Sequence, residues 1–294
     1  MNVLLTGASG FVGRALALRL ARDGHRLRAW SRSPQKAAEA LGAEVEIVDA
    51  GQGPGALKQA LTRSEAVVNL AGEPVVGSRW TAARRKALRT SRVDLTRDLV
   101  WAMASAERKP RVLVSASAVG FYGDRGAEIL HEDSPPGTGF LADLCRDWEA
   151  AAGAATALGL RVVTRRIGVV LGAEGGYLQR VLPFFRLELG GPLGSGRQFV
   201  SWIHLDDRFA RLAGGTLMED VVYYALPLGW LGRLAHPLIV APALQRIFDF
   251  RARAVALRFG SAPAVAPDTR AAATIDSGGR TDRQVPKELG DTRV

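Results

Sequence analysis

Glycines at positions 7, 10 and 13 follow the apolar run Val3-Leu4-Leu5, the last of them inside the apolar stretch that begins Phe11-Val12. A strand, a glycine turn and a helix in that order can seat a dinucleotide's diphosphate. Gly7 allows the tight turn, Gly10 lets backbone approach the pyrophosphate, and Gly13 lets helix and strand pack closely. The helix start would add unpaired N–H donors, with Ser9, Phe11 and Val12 completing the cofactor loop. The alternative, a purely structural turn, does not account for the correctly placed flanking strand and helix.

The next strand end selects the cofactor. An acidic residue there would bind a ribose 2′-hydroxyl, but the chain has Trp30-Ser31-Arg32-Ser33. Ser31 and Arg32 suit a 2′-phosphate, so NADP(H) is expected rather than NAD(H). Asp49, ending the third strand, is placed to meet adenine. Leu70, Ala71 and Gly72, after the fourth, border the cofactor's middle.

Groups able to move protons or hold anions are fewer. Cys145 and Glu149 lie one helical turn apart and could share a face, although a buried, inert thiol is the simpler reading. Arg197, in the glycine-rich stretch 190–198, could fork onto an anionic substrate or be an exposed loop arginine. Cys145 is the only cysteine, which excludes an intramolecular disulfide and a cysteine-built metal site.

These residues need a scaffold. Strand-like runs at 3–5, 27–30, 45–48, 66–70, 112–114 and 162–164 are separated by helix-compatible stretches. That alternation predicts an α/β, Rossmann-type doubly wound parallel sheet. Helices are expected over 81–106, with a threonine cap, over 140–158, and over 206–212. After residue 212 the pattern predicts a strand-helix appendage: a strand at 218–226, a turn at 227–232 and a helical region at 234–259. Residues 261–294 carry almost no large apolar side chains and read as a disordered tail. The expected division is therefore 1–212, 213–260 and 261–294.

Composition bounds the rest. The 294 residues, 47% hydrophobic, suffice for one large core. No signal peptide is visible at the amino terminus, and the apolar stretch 225–243 is broken by Arg233, His236 and two prolines, so neither secretion nor a membrane span is expected. A cytoplasmic location is the default. The net charge of +10 makes nucleic acid conceivable, but the arginines are dispersed and lack interleaved aromatics, so no nucleic-acid partner is expected.

Several motifs occur together: Thr6-Gly7-x-x-Gly10-x-x-Gly13, Asn69-Leu70-Ala71-Gly72-Glu73-Pro74, Arg79-Trp80, the run 115–124 from Ser115 to Asp124, Asp147-Trp148-Glu149, and Ser201-Trp202-Ile203-His204-Leu205-Asp206-Asp207. Over about residues 1–212 the chain resembles the epimerase-like family of atypical extended short-chain dehydrogenases/reductases, within the NAD-dependent epimerase/dehydratase superfamily. The resemblance implies an NADP(H)-binding fold with a small-molecule substrate cleft at the carboxyl ends of the strands, and it leaves the substrate unidentified.

The wider superfamily pairs a Ser or Thr with a Tyr and a Lys four residues later. No Tyr-x-x-x-Lys exists in this chain, and Phe140 and Leu144 stand where it should. Ser117 matches the catalytic serine position, and Tyr122 is the phenol available as an acid; a structural role is the alternative for Ser117, and a packing or ribose-contacting role for Tyr122. His204 and Asp206 resemble a cleft-lining pair, with His204 facing substrate. The family's substrate-closing subdomain is not recognised after Leu212. Residues 214–229 and 247–251 instead resemble the end of a START/polyketide-cyclase-like domain, whose apolar face suggests self-association through 213–260. Two functional readings follow: an NADP(H)-dependent oxidoreductase or epimerase on a small carbonyl or sugar-like compound, or a non-catalytic NADP(H)-binding sensor or interaction protein.

Overall fold

The computed structural model describes residues 1–76, 79–172, 174–187, 189, 191, 199–205, 208–212 and 215–219, together with single positions 242, 245, 246, 249 and 253. The chain divides into two units, Met1–Ala225 and Leu226–Val294, and every numbered strand and helix below belongs to the first.

Six strands form one parallel sheet: β1 Asn2–Thr6, β2 Arg26–Ser31, β3 Val45–Asp49, β4 Ala66–Asn69, β5 Val112–Ala118 and β6 Arg161–Ile167. Their order is β3-β2-β1-β4-β5-β6. Parallel neighbours require crossovers, which the helices supply: α1 Phe11–Arg22, α2 Pro34–Leu41, α3 Pro54–Thr62, α4 Ala82–Arg89 with α5 Leu95–Ala104, and α6 Phe140–Gly153. The doubly wound α/β fold expected from the alternation is the fold observed.

β1 shows why the sheet is covered twice. Val3 and Leu5 pack with Ala17 of α1 and Ala37 of α2, whereas Leu4 packs with Leu61 of α3 and Leu99 and Met103 of α5. Side chains alternate across a strand, so an unbroken apolar run must face two layers. Leu4, Leu61, Leu99, Met103 and Leu113 are at most 2% exposed, and truncating any of them to alanine would cost about 2–5 kcal/mol.

The order reverses between β1 and β4, opening a crevice beyond their carboxyl ends where Thr6 and Asn69 are register partners. The Thr6 hydroxyl donates to Asn69 Oδ1 at 2.6 Å, and Asn69 Nδ2 donates to Thr96 Oγ1 at 2.8 Å. Trp148 of α6 donates to the same Thr96 oxygen at 3.0 Å. These buried polar groups satisfy one another and hold β1, β4, α5 and α6 together as the crevice floor.

The helix expected over 81–106 begins on a Thr81 cap, whose hydroxyl accepts from the Arg84 N–H at 3.2 Å. It contains a π-helical turn, Thr90–Asp94, between α4 and α5. The helix expected over 140–158 is α6 followed by the 3₁₀ turn Ala154–Leu158.

The helix expected over 206–212 is not formed: Arg208–Leu212 is strand β9, antiparallel to β10 Gly215–Glu219. Two residues separate them, a spacing suited to a hairpin, and cross-strand pairing overrides a short segment's weak helical preference. The strand expected at 218–226 thus starts earlier, and its remainder lies outside the described residues, as does the expected 261–294 tail. Of the helical region expected at 234–259, the described positions 242, 245, 246, 249 and 253 are helical.

β7 Val169–Leu171 and β8 Trp202–His204 form a separate parallel pair, with α7 Gly176–Arg186 between them. Among the described residues no helix is long and apolar enough to cross a membrane.

Candidate functional site

The turn between β1 and α1 is closed by a Gly10 N–H to Gly7 carbonyl bond of 3.0 Å. Gly7 has φ +69°, and a Cβ there would lie 2.7 Å from the Leu70 carbonyl carbon. A Cβ at Gly13 would run into the Gly7 carbonyl oxygen. Glycine is therefore required on both sides of the turn, once for conformation and once for space. α1 starts without a side-chain cap, and its first turn holds no acidic residue. The N–H groups of Phe11, Val12 and Gly13 thus have no intrahelical acceptor, and with the helix dipole they favour an anion. Ser9 and Gly10 are exposed beside them. This cradle fits a dinucleotide diphosphate.

The Phe11 side chain packs on the segment that follows residue 171. Its ring lies against backbone at Gly172, Gly175 and Gly176, where added Cβ atoms would come within 2.6–2.9 Å of it. Arg14 pairs with Glu174 at 2.5 Å in the same connection. The β7–α7 segment is thereby fastened to the start of α1.

Ser31 ends β2, and its hydroxyl accepts from the Ser33 N–H at 3.1 Å. Arg32 follows with its side chain 76% exposed, and it donates to Glu73 Oε1 at 3.2 Å. Glu73 Oε2 lies 3.7 Å from Arg84. Leu70, Ala71 and Gly72 line the loop leading to Glu73, with the Ala71 N–H donating to Thr6 Oγ1 at 3.3 Å. Asp49 caps the short 3₁₀ turn Ala50–Gln52 by accepting from the Gly51 N–H at 2.8 Å, a local role that occupies one of its oxygens.

Ser117 on β5 and Arg166 on β6 are register partners, so their side chains leave the same sheet face. α6 covers that face and brings Glu149 between them. Ser117 donates to Glu149 Oε1 at 2.6 Å, and Arg166 forks onto both carboxylate oxygens at 2.8 and 2.9 Å. The same guanidinium donates to the Tyr122 hydroxyl at 2.9 Å and lies 3.5 Å from the Phe121 ring centroid. Burial opposes ionisation of Glu149, but the Arg166 and Ser117 hydrogen bonds outweigh it and hold the carboxyl below the ordinary range. The Glu149 partnership raises the Arg166 guanidinium in turn.

Ser117 and Tyr122, singled out separately in sequence, thus belong to one ion-linked cluster. Arg166, which joins them, was not identified in the sequence. The available signal was the pair Arg165-Arg166 closing the strand run 162–167, beside the strand carrying Ser117.

Cys145 does lie beside Glu149, as the one-turn spacing predicts, but as a buried thiol. It is buried among Phe121 and Tyr122, and burial, followed by the neighbouring Glu149 charge, pushes its thiol up. A thiol so placed is a poor nucleophile. At the position where a superfamily tyrosine would stand, the Phe140 ring is met edge-on by Trp80 at 5.6 Å, and Leu144 is 2% exposed. His204 ends β8, paired with Leu171 of β7 and half-buried. Arg197, Asp206 and most of 190–198 lie outside the described residues. Among the described residues no group of three His, Cys, Asp or Glu side chains could hold a metal ion.

The model of the NAD dependent epimerase/dehydratase family matches residues 3–211. A chloroplastic epimerase family protein SDR39U1 homolog from Arabidopsis thaliana is 44% identical over 213 residues, covering 70% of this chain and 60% of that protein. The Bos taurus epimerase family protein SDR39U1 is 38% identical over 288 residues, covering 88% of this chain and 90% of its own. Such a share of this chain requires residues beyond 212. The segment expected to be foreign to the family thus aligns with one of its members, and the START-like reading of 213–260 gains no support.

A crystal structure of human epimerase family protein SDR39U1 (isoform 2) with NADPH superposes with a TM-score of 0.58 at 35% identity, covering 70% of this chain and 67% of that one. The chain thus spans only 60% of the Arabidopsis protein and about two thirds of the human one. With the glycine cradle, the strand order and the family match all falling on the same residues, this chain belongs to the NAD dependent epimerase/dehydratase family.

Proposed function

We propose that this chain binds NADP(H) across the carboxyl ends of β1, β2 and β4, and that it acts as an epimerase-like oxidoreductase on a small carbonyl or sugar-like substrate. The observation that carries the reading is the glycine cradle at an uncapped helix start, with Arg32 at the end of the neighbouring strand. The human relative crystallised with NADPH supports the choice of cofactor.

When bound, the cofactor supplies or accepts a hydride. The α1 N–H groups would hold its diphosphate, Arg32 and Ser31 its 2′-phosphate, and Leu70 to Gly72 its middle. On the substrate side, Tyr122 offers a phenol proton, because its oxygen accepts from Arg166 and the O–H is left to donate. Arg166 supplies the cation beside the phenol that a lysine supplies elsewhere in the superfamily. A small-molecule substrate fits better than nucleic acid, since Arg14, Arg19, Arg28, Arg63, Arg89 and Arg146 are each paired with carboxylates.

The test is NADPH oxidation with a panel of small aldehydes, ketones and keto-sugars, comparing wild type with Tyr122→Phe. Turnover that falls at least tenfold in the variant supports the reading; wild-type turnover that survives the change unaltered removes Tyr122 from it. One observation favours a second reading, a non-catalytic NADP(H)-binding sensor: the Ser117 hydroxyl already donates its hydrogen bond to Glu149. Cofactor binding without turnover across the panel would select it.

A further inference from the structure

Glu73 is held more firmly than a loop residue needs to be. Its N–H donates to Ser91 Oγ at 3.1 Å, and its carbonyl accepts from Arg92 Nη2 at 2.8 Å. Ser91 and Arg92 are consecutive residues within the π-helical turn Thr90–Asp94. The widened turn lets both reach the same loop residue, and such turns recur at functional sites. Gly72 leaves the space: a Cβ there would lie 2.9 Å from Arg92 Cζ. Main-chain contacts on both sides of Glu73 thus fix where its side chain starts.

The carboxylate so placed reaches across the crevice mouth. Oε1 accepts from Arg32 at 3.2 Å and Oε2 faces Arg84 at 3.7 Å. Arg84 is itself anchored on the Pro74 carbonyl. Arg32 is three-quarters exposed, and among the described residues Glu73 is its only side-chain partner. A long side chain in that setting would be spread over many rotamers, and ordering it on a ligand costs binding free energy.

We propose that Glu73 is the positioning residue for selectivity toward the 2′-phosphorylated cofactor. It pre-orients the Arg32 guanidinium toward the ribose while Arg84 neutralises its charge, so that the phosphoryl group meets a net positive, ordered fork. The inference rests on the NADP(H) reading above and adds the determinant of selectivity.

The test is titration of the full chain with NADPH and with NADH, comparing wild type, Glu73→Gln, Glu73→Asp and Arg32→Ala. Loss of one ordered rotamer-rich side chain corresponds to about threefold to tenfold weaker NADPH binding. That loss is expected for Glu73→Gln, and equally for Glu73→Asp, whose shorter reach cannot span to Arg32. NADH, lacking the phosphate, should stay within about twofold, a separation that general loop damage would not produce.

NADPH binding that is unchanged, tighter, or lost together with NADH in Glu73→Gln overturns the inference. So does full retention in Glu73→Asp. In those cases a selective loss of NADPH in Arg32→Ala leaves the cofactor reading standing. Wild-type protein that binds neither nucleotide defeats both.

Discussion

Replacing Arg166 by methionine should cost this protein a large part of its stability. The side chain makes two bonds to Glu149, at 2.8 and 2.9 Å, one to the Tyr122 hydroxyl at 2.9 Å and one to the Glu132 carbonyl at 2.8 Å. Arg166 and Glu149 side chains are 21% and 17% exposed, so methionine would leave a mostly buried carboxylate with Ser117 as its remaining strong donor. Breaking a fully buried pair costs about 3–5 kcal/mol; with roughly a fifth of each side chain in water we expect about 2–3 kcal/mol. For a unit of this size that is a fall in Tm of roughly 5–10 °C.

Urea unfolding followed by tryptophan fluorescence measures the loss, and Arg166→Met/Glu149→Leu supplies the control. Removing both charges should recover most of the deficit, because the cost lies in the orphaned carboxylate. The acid limb supplies a second check. The Glu149 carboxyl is lowered by folding, so its contribution is fully present above the ordinary glutamate pKa of about 4.3 and fades as pH falls through the lower native value. Arg166→Met should flatten that acid-induced loss. A single variant within about 0.5 kcal/mol of wild type, or a double variant no better than the single, would refute the reasoning.

Three further outcomes follow from the same geometry. Gly7→Ala, at φ +69° and against the Leu70 carbonyl, should lose at least about 1–2 kcal/mol in denaturant unfolding and weaken binding of both NADPH and NADH. Thr96→Val removes the oxygen shared by Asn69 and Trp148, and should cost about 1–3 kcal/mol, read by unfolding midpoint. Cys145, 4% exposed and with its thiol pushed up, should react with a disulfide reagent at least about a hundredfold more slowly in native protein than in urea.

What the sequence made legible was whatever depends on neighbours in the chain. The glycine turn, the Thr81 cap and the apolar runs of β1 to β6 are local patterns, and each element stands where its pattern placed it. Arg166 and Glu73 escaped because their partners are distant: Arg166 meets Glu149 and Tyr122 only once β5, β6 and α6 are assembled, and Glu73 meets Arg32 only across the crevice. β9 is illegible locally for the same reason, since a strand of five residues is specified by β10 opposite it. Phe140 and Leu144 stand where the resemblance implies a tyrosine and a lysine; packing sets Phe140 against Trp80 and gathers an arginine, a carboxylate and a phenol beside Ser117.

The proposed function requires dinucleotide phosphates to meet the first helix while Arg32 meets the extra phosphoryl group. Isothermal titration of the purified chain with NADPH and, separately, NADH tests it most directly. Saturable binding of NADPH at least about tenfold tighter than of NADH is expected, with that difference abolished in Arg32→Ala. Heats indistinguishable from dilution for both nucleotides, or a preference for NADH, would contradict it.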